Sequence, residues 1–404
     1  MEKIQNQNHT KETLYYALSR MFERASFYGL RALVVLYMTG EILKMDRVDA
    51  LNLYGWFVAL LVFSQVIGAH IGDLAIGNRK SIIIGGILQA IGTFCICTAS
   101  ITGLYTGLFL IVLGSGLYTP NLISNFGKLY LNKTKLLDSG FTILYFAMNL
   151  GSFLGILLIG YLGNEYGFNM GFILSGILML ISVVLVILSK EKKFEKVEAS
   201  KIAISKRILN ILFVLILVGL FWGFYEMSNI RNADLRLQLK ALSPLNIPDY
   251  FWQANYTIFI FPIGLITIFL WNYFYTSQCF KIMLGFISGA IAFGILFLIP
   301  GMPTDQYAMI FLVSLLLLTI AEVQIAPVIH SILTKYSNPK YLAILISLIF
   351  LPMKLISFSF GLFTENLSDN PVLEMKVGVI GLTVIGLVLI ACLWWNKKRA
   401  TTKG

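Results

Sequence analysis

Apolar runs of about 18–25 residues recur along this chain from end to end, each long enough to cross about 30 Å of hydrocarbon as a helix. The spans run over 13–40, 51–73, 81–101, 104–130, 139–163, 168–189, 207–232, 250–272, 282–299, 308–334, 341–363 and 376–396. That pattern predicts an all-α membrane protein with about 12 transmembrane helices. A soluble fold is excluded by composition. Of 404 residues, 57% are hydrophobic and 13% charged, which is more apolar surface than a soluble domain of this length can bury.

The formal net charge of +11 invites a nucleic-acid reading, but its distribution argues against one. With the N-terminus inside, most Lys and Arg fall in inner loops and tails. This asymmetry is the positive-inside signature and predicts a multi-pass protein of the cell's inner membrane with both termini cytoplasmic. Nothing before residue 13 resembles a cleavable signal, so the first helix is expected to act as its own insertion signal. Cys95, Cys97, Cys279 and Cys392 have neither metal nor disulfide spacing. No Walker-type sequence is present. No nucleophile–base pair or metal-ligand cluster stands among the intramembrane polar residues, so neither an enzyme nor a cofactor is expected.

The stretch "SKEKKFEKVEASKIAISKR" at 189–207 is basic and divides six spans from six. It predicts bundles at 1–189 and 207–404 joined by a cytoplasmic linker at 190–206, related by an axis along the membrane normal. A faint repeat agrees: "TPNLISNFGK" and "APVIHSILTK" each place a Pro eight residues before a Lys, at Pro120/Lys128 and Pro327/Lys335. Pro120, Pro262 and Pro327 lie inside spans, where each removes a backbone donor and bends its helix. For these prolines simple kinking and a gating role weigh about equally.

Charges inside the spans are the stronger clue, because an ion in mid-bilayer must face a partner or a cavity. At 100° per residue, Arg20, Glu23, Arg24, Phe27 and Arg31 fall within about 60° of one line on the first helix, with Tyr28 at its border. Such a stripe faces a bundle interior. Glu226 in "FWGFYEM", Glu322 in "TIAEVQIAP" and Lys354 in "FLPMKLIS" supply further charges. A static packing role for all of them is the weaker reading, since buried ion pairs are poor stabilisers. His70 and His330 read as structural.

These segments resemble the proton-dependent oligopeptide transporters (POT/PTR), a branch of the major facilitator superfamily. Their first helix carries Glu-x-x-Glu-Arg-Phe-x-x-Tyr-Gly where this chain has "RMFERASFYG", and "GAHIGDLAIGNRK" is similar to the superfamily's gate motif, placing Asp73 and Arg79 in it. "GSGLYTPNL", "FTILYFAMNLGSF", "FWGFYE" and "TIAEVQIAP" resemble that family's helices 4, 5, 7 and 10 in order. The resemblance implies a major facilitator fold with two six-helix bundles and alternating access. It implies proton coupling through Glu23, Arg24 and Glu322, with Arg20 standing at a position of that network, and peptide binding by Arg24, Tyr28, Arg31, Asn149, Trp222, Asn255 and Glu322. Lys354 matches nothing in the family pattern and is expected to join that site as a partner of Glu322. The resemblance also implies gating by Arg31, Glu226, Asp73 and Arg79, with Arg31 pairing Glu226 to close the extracellular side; Pro120 and Pro327 are the gating candidates that their places inside spans supply.

Two departures stand out. Arg20 replaces the motif's first Glu, and Thr119 replaces a helix 4 Lys. The family's four residues sum to zero, whereas two guanidiniums and one carboxylate here sum to +1. The expected activity is therefore proton-coupled uptake of di- or tripeptides by a monomer in the bilayer. The alternatives are a more anionic solute or an exporter, with altered or absent proton coupling, and a receptor or scaffold that binds without flux.

Overall fold

The computed structural model describes residues 2–3, 8–190, 203–242, 259–349, 351, 355 and 370–401. Asn255, Lys354 and most of the 190–206 linker lie outside these residues. The helices are α1 (Lys11–Thr39), α2 (Arg47–Ile71, continued by a π turn Gly72–Ile76), α3 (Asn78–Ile96), α4 (Ile101–Lys128), α5 (Leu137–Glu165) and α6 (Phe168–Leu188). They are followed by α7 (Ile204–Leu242), α8 (Ile260–Tyr273), α9 (Gln278–Ile295), α10 (Ala308–Tyr336), α11 (Leu342–Ser347) and α12 (Pro371–Thr401). Nine helices among the described residues are long and apolar enough to cross a membrane. Helix α1 has the length, at 29 residues, but carries the charge stripe.

Helix boundaries follow local chemistry. Asp46 and Ser100 cap α2 and α4 by accepting from the amides of Val48 (2.8 Å) and Gly103 (3.0 Å). Gly77 and Gly167 adopt φ of 86° and 91° at the turns into α3 and α6, a conformation that costs glycine little. Helix α7 outruns its predicted end at 232 by ten residues. "NADLRLQLKAL" is too polar to read as a span, yet it is rich in strong helix formers and continues to Leu242.

Helices α1–α6 pack as one bundle, with α1 against α5 and α6 and α3 against α4. In the second bundle α9 packs against α10 and α12, and α7 against α10 and α12. The bundles meet where α5 faces α8 and α10, and where α11 faces α2 and α4. This is the all-α architecture of the major facilitator fold. The close approach of α1 and α5 depends on α5 glycines, since a Cβ on Gly151 or Gly155 would collide with the carbonyls of Met21 or Ala25 on α1. That contact fixes the rotation of α1 and so the direction of its charges.

The end of the molecule where α1 begins, called the base below, is strapped by the N-terminal segment. Strand β1 (Glu2–Lys3) pairs antiparallel with β2 (Phe274–Tyr275). His9 contacts Tyr130 Oη (2.8 Å) in the first bundle and Asn272 Oδ1 (3.1 Å) in the second. Burial lowers the His9 pKa most; the bond to Asn272 opposes this and the charge of Lys133 reinforces it.

Two outcomes follow for stability. Gly155→Leu forces α1 off α5 and should cost about 1–3 kcal/mol, read as a lower melting temperature in detergent. A depressed histidine pKa means the unfolded chain takes up the proton first, so His9's contribution is present above about pH 6.5 and fades as pH falls. The parent should therefore lose more melting temperature than His9→Gln between about pH 7.5 and pH 5.5.

Candidate functional site

The charge stripe of α1 is buried as the helical period requires. Arg20, Glu23 and Arg24 are 4%, 0% and 8% exposed. Glu23 sits between the two arginines: Arg20 Nη1 donates to Oε2 at 2.9 Å, Arg24 Nε donates to the same oxygen at 2.6 Å, and Arg24 Nη2 donates to Oε1. Arg20 also donates to Thr119 Oγ1 at 3.2 Å, so it occupies the space beside the helix 4 threonine. The Arg24 guanidinium lies over the rings of Phe27 (4.8 Å) and Tyr28 (5.7 Å). Arg24 is held by its two bonds to Glu23 and the aromatic shelf, and Arg20 by its bonds to Glu23 and Thr119.

Opposite this wall, α10 presents Glu322. Tyr225 of α7 donates to its Oε1 at 2.6 Å and Tyr145 of α5 to its Oε2 at 3.3 Å. The carboxylate is thus bonded from both bundles, and by neutral donors alone among the described residues. Between the walls lies a cavity of about 720 Å³, lined by Arg20, Arg24, Tyr28, Thr119, Asn149, Trp222, Glu226, Glu322, Pro327 and His330, among others. The amide of Asn149 donates to the Tyr145 carbonyl at 2.9 Å. A volume of this size with few convergent charges suits a small polar molecule.

Several expected residues take other places. Arg31 does not reach Glu226; its Nε and Nη2 donate to Tyr54 Oη at 2.8 and 2.5 Å, and it is not among the cavity-lining residues. The neutral Tyr54 of α2 meets its need for an acceptor within its own bundle. His330 lines the base side of the cavity, its Nδ1 donating to the Ala326 carbonyl at 3.0 Å and its ring against Phe141 at 5.7 Å. His70 is exposed and donates to the Val66 carbonyl at 2.8 Å. Arg236, on the unforeseen extension of α7, lines the cavity as well.

At the base, Asp73 Oδ2 accepts from the Ile344 amide at 2.9 Å and so caps the start of α11 across the bundle seam. Its Oδ1 accepts from Asn78 Nδ2 at 2.9 Å. Arg79 Nη2 donates to the carbonyls of Ile187 (2.8 Å) and Ser189 (3.0 Å), where a cation complements the end of α6. Pro120 is buried inside α4, and Pro327 is buried inside α10 between Glu322 and His330. The sequence reading missed a further base cluster around Asp138, which accepts from Lys281, Gln278 and Ser331. Its members sit at span ends and share no spacing that would have joined them.

Residues 79–220 match the model of the POT family. A di-/tripeptide transporter of Lactococcus lactis subsp. lactis (strain IL1403) is 28% identical over 276 residues, 63% of this chain and 56% of that protein. The uncharacterized transporter YclF of Bacillus subtilis (strain 168) is 31% identical over 185 residues, 45% of this chain and 37% of its own. The matches therefore span about half or less of these relatives' lengths. Among solved structures, a peptide transporter POT in complex with sulfate superposes with a TM-score of 0.63 at 20% identity, over 97% of this chain and 96% of that one. A POT family transporter in complex with 5-aminolevulinic acid gives 0.62 at 20%, over 96% and 97%.

The Glu23 clamp predicts its own defect. Glu23→Gln leaves two guanidiniums buried side by side, a loss of about 3–5 kcal/mol that should appear as a lower melting temperature. Exchanging Arg20 for Met in the same chain should recover part of that loss.

Proposed function

We propose that this chain, a divergent member of the POT family, is a secondary transporter that takes up di- or tripeptides with protons by alternating access across the cell membrane. The observation that carries this reading is the opposition of charges across the cavity, with Arg20 and Arg24 on α1 facing Glu322 and Glu226 on α10 and α7. A zwitterionic peptide in extended form spans about 3.3–3.6 Å per residue and places its carboxylate and ammonium at opposite ends. Arg24 would take the carboxylate, Glu322 the ammonium, and Asn149, Trp222 and Tyr28 the backbone and side chains between them.

Proton coupling is assigned here to Glu322 ahead of Glu23. Both Glu23 oxygens accept from guanidiniums, so a proton there would displace charge-assisted bonds. Glu322 exchanges only tyrosine hydrogen bonds, which can reverse direction when the carboxyl becomes a donor. An inward proton carries about 2.3 kcal/mol per 100 mV of membrane potential, enough to drive accumulation. The two bundles, taken as 1–189 and 207–404 about a cytoplasmic linker, would rock around the cavity, with Pro120 and Pro327 bending the helices that line it. Arg31 would exchange Tyr54 for Glu226 when the end away from the base closes.

A second reading has one specific support. Arg20 occupies the place beside Thr119, so the α1 wall carries one surplus positive charge, which favours a more anionic cargo. Competition decides between them: dialanine should displace a labelled peptide better than a dicarboxylate of similar size does.

In reconstituted protein, Arg24→Ala should reduce dialanine uptake by at least about 100-fold without altering assembly, since the charge-assisted contact to the peptide carboxylate is lost. Normal uptake in that variant would sink the assignment. Glu322→Gln should lose the response to a proton gradient, while peptide exchange across the membrane persists at a lower level because the ammonium contact is weakened.

A further inference from the structure

The cluster at the base is not used in peptide binding and has a different geometry from the α1 clamp. Asp138, in the first turn of α5, is 4% exposed. Its carboxylate accepts from Lys281 Nζ and Gln278 Nε2 (3.1 Å) of α9 and from Ser331 Oγ of α10. Gln278 also donates to Ser331 at 3.1 Å. Lys281 is 1% exposed, with its ammonium 4.4 Å from the Trp271 ring centre on α8. All these side-chain partners of Asp138 belong to the second bundle.

This placement separates two kinds of buried ion pair. Glu23 and its two arginines share one helix and move together when rigid bundles rock. Asp138 and Lys281 sit on opposite sides of the seam, so opening the base must part them. A buried pair adds little net stability, but stranding one member is costly. With the base closed the two charges compensate each other. With it open, water reaches both. The unfavourable arrangement is a half-open seam in which one ion faces a dry wall, so the pair favours two discrete states. The packing beside it is equally close: a Cβ on Gly127 of α4 would lie 2.6 Å from Thr334 Oγ1 of α10.

We infer that Asp138 and Lys281 form a base gate, an ion pair across the seam whose charges are compensated while the end where the chain begins is closed and which parts each time that end opens. Gln278 and Ser331 orient the Asp138 carboxylate toward Lys281. The gate rests on the alternating-access reading but on no particular cargo.

The test needs no substrate, so it stands apart from the peptide assignment. Thr334, 1% exposed at the seam, is replaced by Cys in a chain whose Cys95, Cys97, Cys279 and Cys392 are Ala. Maleimide labelling of purified, monodisperse protein then reports opening of the base. Lys281→Met strands Asp138 and should speed labelling by at least about tenfold, whereas Asp138→Asn added to it should bring the rate most of the way back. Simple packing damage would make the double variant label faster still. Labelling of Lys281→Met at the parent rate, or a double variant faster than the single, would overturn the gate. If Lys281→Met does not fold, Asp138→Asn alone, which strands Lys281, carries the same expectation.

Discussion

A carboxylate held between two guanidiniums on one helix sets the terms for the rest of this structure. Glu23 compensates Arg20 and Arg24 in a bundle interior, where either guanidinium alone would be a costly unpaired charge. The cluster keeps a net positive charge and so gives the first bundle a cationic wall. It also requires α1 to face inward with no lipid exposure of its stripe, which the glycine contacts of α5 enforce. The clamp is therefore both a packing element and the source of the cavity's polarity.

The second bundle answers with a different device. Glu322 is stabilised by tyrosine hydroxyls from α7 and α5, without a cation among the described residues. One wall is thus locked in charge by strong ionic bonds, and the other is held by bonds that a proton or an ammonium can replace. This asymmetry suits a site that must bind and release a charged molecule in each cycle. The base carries further contacts across the seam, through Asp73 to α11, Asp138 to α9 and α10, and His9 to Tyr130 and Asn272.

What could be read from sequence follows from which interactions are local. Hydropathy marks spans because each must cross the bilayer alone. The α1 stripe was legible because 3.6-residue periodicity puts Arg20, Glu23 and Arg24 on one face. The end of α7 was not, since polarity there competes with helix propensity and hydropathy registers only the former. The contact of Arg31 with Tyr54 was not legible, because a tally of charges leaves out a neutral acceptor. Asp138 and Lys281 were missed for another reason: they lie 143 residues apart, each at the start of a span where a charge looks like ordinary flanking sequence.

The central claim is that the opposed walls move a peptide with a proton. It is tested most directly by uptake of labelled dialanine into proteoliposomes with and without an inward proton gradient. The account predicts accumulation above the external concentration only when the gradient is imposed, collapsing when a protonophore is added. Folded protein that leaves dialanine uptake at the level of empty liposomes under both conditions would contradict it.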